Sequence, residues 1–264
     1  ALERVSFDLR RGEVHALVGE NGAGKSTLMK VLAGVYRADE GRIVLRGEPV
    51  AIESPHEAQA AGISIVHQEL VLFPTLTVAE NILAGQEPTR VRGLALVDRG
   101  CLYERARHYL RFFNSTISPK AIMGRLSVAQ QQIVEICKAL SLQAEILILD
   151  EPTSSLSESE AEQLFEVIRQ LRDQGIGIIY ISHRLKEVIR LADRVTVLRD
   201  GAKVGTLAGE SIATPTIINM MVGRELSDFY GRSQATGGAR EILLEVRGLS
   251  GTRFENISLA VYRG

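Results

Sequence analysis

Tryptophan is absent from this 264-residue chain, and cysteine occurs only twice, at Cys101 and Cys137. Two cysteines so far apart make no disulfide framework, which suits a reducing compartment and excludes a stapled secreted scaffold. Cys137 falls in an apolar helical stripe and reads as an inert core thiol. Long apolar runs are also lacking. The run from Ile176 to Ile181 is strand-sized, far short of the roughly 20 residues a membrane helix needs, and no secretory signal pattern stands at the N-terminus. A membrane role would leave the spanning to another subunit. Nor is there an excess of charge. The 31 basic and 32 acidic side chains give a formal net charge of −1, so nothing pulls the whole molecule toward nucleic acid or anionic lipid. With 45% hydrophobic residues, the length is ample for one large α/β domain with subdivisions.

What is present is organised around Gly19-Glu20-Asn21-Gly22-Ala23-Gly24-Lys25-Ser26-Thr27. The run fits the phosphate-loop pattern G-x-x-x-x-G-K-[ST]. Glycines let the backbone curl so that successive N–H groups converge on phosphate oxygens. Lys25 adds a positive charge for the outer phosphates, and Ser26 offers a hydroxyl to a magnesium ion. The flanks fit: Val14-His15-Ala16-Leu17-Val18 reads as a buried strand, and the segment from Ser26 to Leu32 as a helix closed by Gly34.

Along the chain, residues 1–18 are expected to form a hairpin that turns at Arg11-Gly12, and residues 42–52 a second antiparallel pair around Arg46-Gly47-Glu48. Residues 62–68 read as a short strand ending on the polar Gln68, and a helical subdomain is expected over about residues 75–140. Within it, Ser127 and Gln130 make a capping-box pair ahead of the stripe Ile133, Val134, Ile136, Cys137 and Leu140. Ile146-Leu147-Ile148-Leu149 is a continuous buried strand running into Asp150-Glu151-Pro152. A helix capped by Ser157 and Glu160 follows, then the strand from Ile176 to Ile181 ending at Ser182-His183, then a helix from Arg184 to Leu191. A hairpin turning at Asp200-Gly201 comes next. Strands alternating with helices imply a mostly parallel sheet covered on both faces.

Four further residues stand at strand ends, where ligands of such sheets gather. Asp150 can hold magnesium opposite Ser26, and the adjacent Glu151 is suited to polarise an attacking water as general base. Gln68 can reach both the metal and that water, and His183 can bond a terminal phosphate and the water. Ser127, Val128, Ala129 and Gln130 open a helix whose free N–H groups make an anion site. That site lies about a hundred residues from Lys25 on a different subdomain, so it is better placed for a nucleotide held by another copy.

On these residues the chain resembles the ABC ATPase family over residues 1 to about 230. The resemblance includes Ile65-Val66-His67-Gln68-Glu69-Leu70, Asp150-Glu151-Pro152-Thr153-Ser154-Ser155-Leu156, Ile179-Tyr180-Ile181-Ser182-His183-Arg184 and Val197-Leu198-Arg199-Asp200-Gly201. It is nearest to the tandem ATPase subunits of bacterial ribose-, galactose- and xylose-type sugar importers. The resemblance implies a P-loop NTPase (RecA-like) α/β fold with an antiparallel β subdomain and an inserted helical subdomain. It implies ATP and Mg2+ as ligands, a transmembrane permease as partner, an extracellular or periplasmic sugar-binding protein acting indirectly, and no nucleic acid. The expected location is peripheral, on the cytoplasmic face of the bacterial cell membrane. Leu72-Phe73-Pro74 lies in the segment such proteins use to touch the permease.

Domain organisation follows partly from a repeat. Residues 254–264 line up with residues 2–12 with four identities and four further apolar matches. The expected layout is therefore a first domain over 1–230, a linker over 231–240 rich in small polar residues, and a second, truncated domain beginning near Glu241. On this layout the first copy lacks its N-terminal strand and the aromatic that stacks on adenine. The family signature Leu-Ser-Gly-Gly-Gln is altered, since Val128 and Ala129 replace both glycines. A methyl at Ala129 is expected to crowd an approaching phosphate. The resemblance then implies one competent site, built from these nucleotide-binding motifs and the second domain's signature, and weak turnover by the chain alone. The alternatives weighed are a ribosome- or DNA-associated ABC ATPase, an importer for a nucleoside or another sugar-like solute, and a nucleotide switch. Neither a coiled-coil nor a zinc insertion lies between Lys25 and Ser127, and Glu151 with His183 disfavours a switch.

Overall fold

The computed structural model describes residues 2–67, 71–91, 94–113, 115–223, 242–251 and 254–262. Strand β1 (Val14–Val18) is buried along its whole length, as expected of a run with no charged residue. It feeds helix α1 (Lys25–Leu32). Strands β2 (Ile43–Leu45) and β3 (Glu48–Val50) pair antiparallel around Arg46 and Gly47. Both turn residues have positive φ, 54° and 87°, the geometry that matches the twist of a tight hairpin. Helix α2 (Pro55–Ala60), strand β4 (Ile63–Val66) and helix α3 (Val78–Ile82) follow. A small antiparallel pair, β5 (Thr89–Val91) and β6 (Leu94–Val97), precedes the longer helices α4 (Arg99–Arg111) and α5 (Val128–Ser141). Then come β7 (Ile146–Asp150), α6 (Glu158–Asp173), β8 (Gly177–Ile181), α7 (Leu185–Leu191), β9 (Arg194–Arg199), β10 (Ala202–Ala208) and α8 (Thr214–Val222).

The main sheet runs β10-β9-β1-β8-β7-β4. Every neighbouring pair is parallel except β9 with β10. Side chains alternate across its faces. Val14, Ala16, Val18, Leu147, Leu149, Ile178 and Tyr180 enter the larger core under α3 to α8, whereas Leu17, Ile148, Ile179 and Ile181 enter a smaller core with Met29 and Ala58 of α1 and α2. Each fully buried aliphatic side chain stabilises the fold by about 1.5–3 kcal/mol. A one-residue slip of any strand would therefore be heavily penalised.

Two expectations need correction. Residues 4–9 form no strand, because both edges of β1 are occupied by the parallel neighbours β8 and β9 and no edge is left for an antiparallel arm. The segment instead lays Val5, Phe7 and Leu9 against the smaller core. It is tied down by Glu3 N–H to Gly201 O at 2.8 Å and by a two-pronged Arg194–Asp8 pair at 2.7 and 2.9 Å. The stretch expected to be helical, about residues 75–140, also contains the β5–β6 pair, whose strands are too short to show a period-two pattern.

The described structure divides into two units, Ala1–Gly223 and Arg224–Gly264. In the second, β11 (Ile242–Gly251) and β12 (Phe254–Tyr262) pair antiparallel as a long ribbon. The expected linker over 231–240 lies outside the described residues. Among the described residues no helix is long and apolar enough to cross a membrane.

Candidate functional site

Leu17 of β1 is in register with Ile181 of β8, and Ile181 with Asp150 of β7. One row across three adjacent strands therefore launches three loops: residues 19–24 after β1, Glu151 onward after β7, and Ser182-His183 after β8. Strand pairing brings together residues more than a hundred positions apart in the chain.

The first loop is shaped by glycine. A Cβ on Gly19 would lie 2.4 Å from Leu198 O, so only glycine lets the loop pass β9. Gly24, at φ 101°, precedes α1 and gives it no side-chain cap. The N–H groups of the first turn of α1 are thus left without a side-chain acceptor, as an anion site requires. Lys25 is buried, and its Nζ donates to Gly19 O at 2.7 Å and Glu20 O at 3.0 Å. Burial lowers its pKa from the ordinary lysine value, while Glu151 and Asp150 pull the other way. Ser26 is exposed beside it.

Asp150 ends β7 with its carboxyl pushed above the usual range, first by burial and then by the neighbouring charge of Glu151. Glu151 adopts φ 48°, a left-handed conformation uncommon outside glycine, and its N–H donates to Ile181 O at 3.0 Å. That bond turns the chain back toward β8, and Glu151 Oε1 comes to 3.2 Å from Nδ1 of His183, an otherwise largely exposed ring. Two of the residues singled out from the sequence therefore face each other directly. Gln68 lies outside the described residues.

A magnesium ion fits the donors present. The Ser26 hydroxyl and Asp150 carboxylate are hard oxygen ligands, and a dication would relieve the raised pKa of Asp150. Among the described residues no cluster of three His, Cys, Asp or Glu side chains could hold a metal unaided. That suits magnesium, which commonly takes one or two protein ligands and completes its shell with water and phosphate.

Ser127 caps α5 as expected. Its Oγ accepts from Gln130 N–H at 3.3 Å, and its own N–H donates to Gln130 Oε1 at 3.1 Å. The expectation for Ala129 is corrected: it is 6% exposed, with its methyl in the larger core, whereas Val128 is 42% exposed. Of these two side chains at the helix start, the exposed one is Val128, not Ala129. Sequence reasoning also missed Glu187, a buried carboxylate on α7 that accepts from Thr153, Tyr180 and Ser182. Its only sequence signal is an acidic residue beside the core residue Val188 on a short helix.

The family described as ABC transporter matches residues 2–154. A ribose/galactose/methyl galactoside import ATP-binding protein of Albidiferax ferrireducens is 51% identical over 265 residues, covering 100% of this chain and 52% of that protein. A ribose import ATP-binding protein of Burkholderia pseudomallei is 46% identical over 267 residues, with coverages of 100% and 52%. The chain spans about half the length of these curated relatives. Among solved structures, an ATP-binding cassette of an ABC transporter in its ADP conformation superposes with a TM-score of 0.73 at 27% identity, covering 85% of this chain and 93% of that one. A nucleotide-free cassette gives 0.71 at 27% identity, covering 84% and 89%.

Proposed function

This chain belongs to the ABC transporter family, and from that premise we propose that residues 1–223 bind and hydrolyse MgATP to drive import of a monosaccharide through a separate membrane permease. The observation that carries the hydrolysis reading is the Glu151–His183 contact of 3.2 Å on neighbouring strand ends, one strand away from the loop that holds Lys25. A phosphate cradle alone serves binding; a carboxylate and an imidazole brought together on neighbouring strand ends serve attack by water. The relatives named for ribose and galactose import support the sugar class.

In this reading the N–H groups of residues 19–25 and the Lys25 ammonium hold the phosphates. Ser26 and Asp150, with Gln68, would hold a magnesium ion, which would supply neutralisation of phosphate charge. A Glu151 carboxylate oxygen accepts the proton of the attacking water. His183 orients that water and the terminal phosphate. The helix start at residues 127–130 faces a nucleotide bound by a second ABC domain, for which residues 241–264 supply the opening strands, beyond a first domain ending near 230 and a linker over 231–240. The assembly sits on the cytoplasmic face of the membrane, with a sugar-binding protein on the other side and no nucleic acid involved. Exposed Val71 and Phe73 offer a surface to the permease.

The test uses the full-length protein with its permease in membrane vesicles. Glu151→Gln is expected to lower ATP hydrolysis by about 10²–10⁴-fold, the usual contribution of a general base, and to abolish uptake of labelled ribose or galactose while ATP still binds. Hydrolysis at the wild-type rate in Glu151→Gln would refute the assignment.

A further inference from the structure

Thr153 and Ser182 are both almost wholly buried polar residues that flank the proposed catalytic pair without belonging to it. Thr153 lies two residues after Glu151, and Ser182 directly precedes His183. Both hydroxyls point at the same atom. Thr153 Oγ1 donates to Glu187 Oε2 at 2.7 Å, and Ser182 Oγ donates to it at 3.2 Å. Tyr180 OH, from β8, adds a third bond at 2.8 Å. The other oxygen, Oε1, faces Arg184 Nη1 at 3.2 Å. Ser182 Oγ also accepts from Arg184 N–H at 3.0 Å, so the chain is pinned on both sides of His183.

We infer that Glu187 is a positioning residue for hydrolysis: one buried carboxylate ties the turn carrying Glu151 to the turn carrying His183 and sets the gap between them. This rests on the hydrolysis reading above. The chemistry favours a carboxylate at this place. Hydrogen bonds to an ionised acceptor are about twice as strong as neutral ones, and one oxygen gathers donors from three segments. A glutamine would present an amide NH2 to part of the same ring of donors and would leave at least one of them without an acceptor. The carboxylate of Glu187 is bonded to Thr153, Tyr180, Ser182 and Arg184, so it acts through the two turns rather than on a reacting atom. The arrangement also accounts for the left-handed backbone of Glu151, which the fixed Thr153 and the bond to Ile181 O hold from either side.

Three variants of the full-length protein test this: Glu187→Gln, Thr153→Val and Val188→Ala. The last removes buried packing from the same helix without touching the carboxylate. At a temperature where all are fully folded, Glu187→Gln and Thr153→Val are expected to lower kcat by about 10- to 100-fold, the cost of roughly ångström-scale misplacement. KM for ATP should stay within about 3-fold, because the phosphate loop is untouched. Val188→Ala should keep its kcat within about 2-fold. Unchanged kcat in the first two variants, or an equal loss in Val188→Ala, overturns the inference. Imidazole 15N resonances of His183, recorded without nucleotide, separate this inference from the reading beneath it. They should move in Glu187→Gln and Thr153→Val and stay in place in Val188→Ala, whether or not the wild-type protein hydrolyses ATP by way of Glu151. Unmoved resonances in Glu187→Gln overturn the positioning role even if hydrolysis is confirmed.

Discussion

His15 should make the first unit acid-sensitive in a range where few side chains titrate. It is the second residue of β1 and has no exposed surface. Its Nδ1 is 2.8 Å from Asp8 O, which can only accept, so Nδ1 carries the proton and Nε2 accepts from Thr196 Oγ1 at 2.8 Å. Thr196 in turn meets Thr206 at 2.8 Å. Burial lowers the His15 pKa to about 4, with Arg194 and Lys203 adding to the effect and the carbonyl and carboxylate of Asp8 opposing it. Glu13 stands 3.8 Å away. The unfolded chain takes up this proton near pH 6.5 and the folded chain only near 4, so the unfolded state binds more protons in between. The stability contributed is complete above about 6.5 and is lost as pH falls toward 4. Between pH 7.5 and 5.0 the two values give a loss of about 2 kcal/mol, and about 3 kcal/mol once both forms are protonated. In a domain of this size, 2 kcal/mol lowers Tm by about 4–8 °C. Urea unfolding followed by far-ultraviolet circular dichroism at the two pH values measures it, and His15→Gln isolates it, since the amide keeps a donor and an acceptor but does not titrate. Subtracting the His15→Gln values removes every other titrating group. Parallel pH dependences in the two proteins would refute the reasoning.

Two further outcomes are expected. Gly19→Ala should abolish ATP binding and destabilise the fold by more than Gly22→Ala, because its methyl would meet Leu198 O at 2.4 Å whereas nothing lies within 4 Å of the Gly22 position; Gly22→Ala should cost only the left-handed backbone penalty of about 1–2 kcal/mol, and equal losses in thermal unfolding would contradict this. A thiol reagent applied to the native chain should modify one cysteine quickly, the exposed Cys101, while the buried Cys137, whose thiol burial pushes upward, reacts only on unfolding; mass spectrometry of peptides reads the ratio.

Much of the candidate site's geometry was legible because its signals are local. The phosphate loop is one uninterrupted pattern, and the caps at Ser127 and Ser157 need only a partner three residues on. Asp150, Glu151 and His183 were legible because buried runs announce where strands end. What stayed hidden depends on partners distant in the chain. The arm at residues 4–9 alternates like a strand, yet β1 has no free edge, and that follows from pairings with residues 177–181 and 194–199. The Ala129 methyl, expected to meet an approaching phosphate, turns into the core instead, which depends on the rotation of α5. Glu187 meets Thr153 across 34 positions, beyond any local pattern.

Helices α2 to α6 each begin on a side chain, Ser54, Thr77, Asp98, Ser127 or Ser157, that accepts a hydrogen bond from the helix's first turn. Helix α1 begins on Gly24 and, like α7 and α8, has none. In this reading its cap is the ligand, so the resting protein is left with an unfinished element that each nucleotide completes and each departure undoes. Selection for thermal stability alone and selection for turnover should then diverge at this helix start. The first rewards any replacement that finishes α1 with the chain's own atoms; the second keeps the end open, and a population evolved only to survive heat would be expected to lose the site from there.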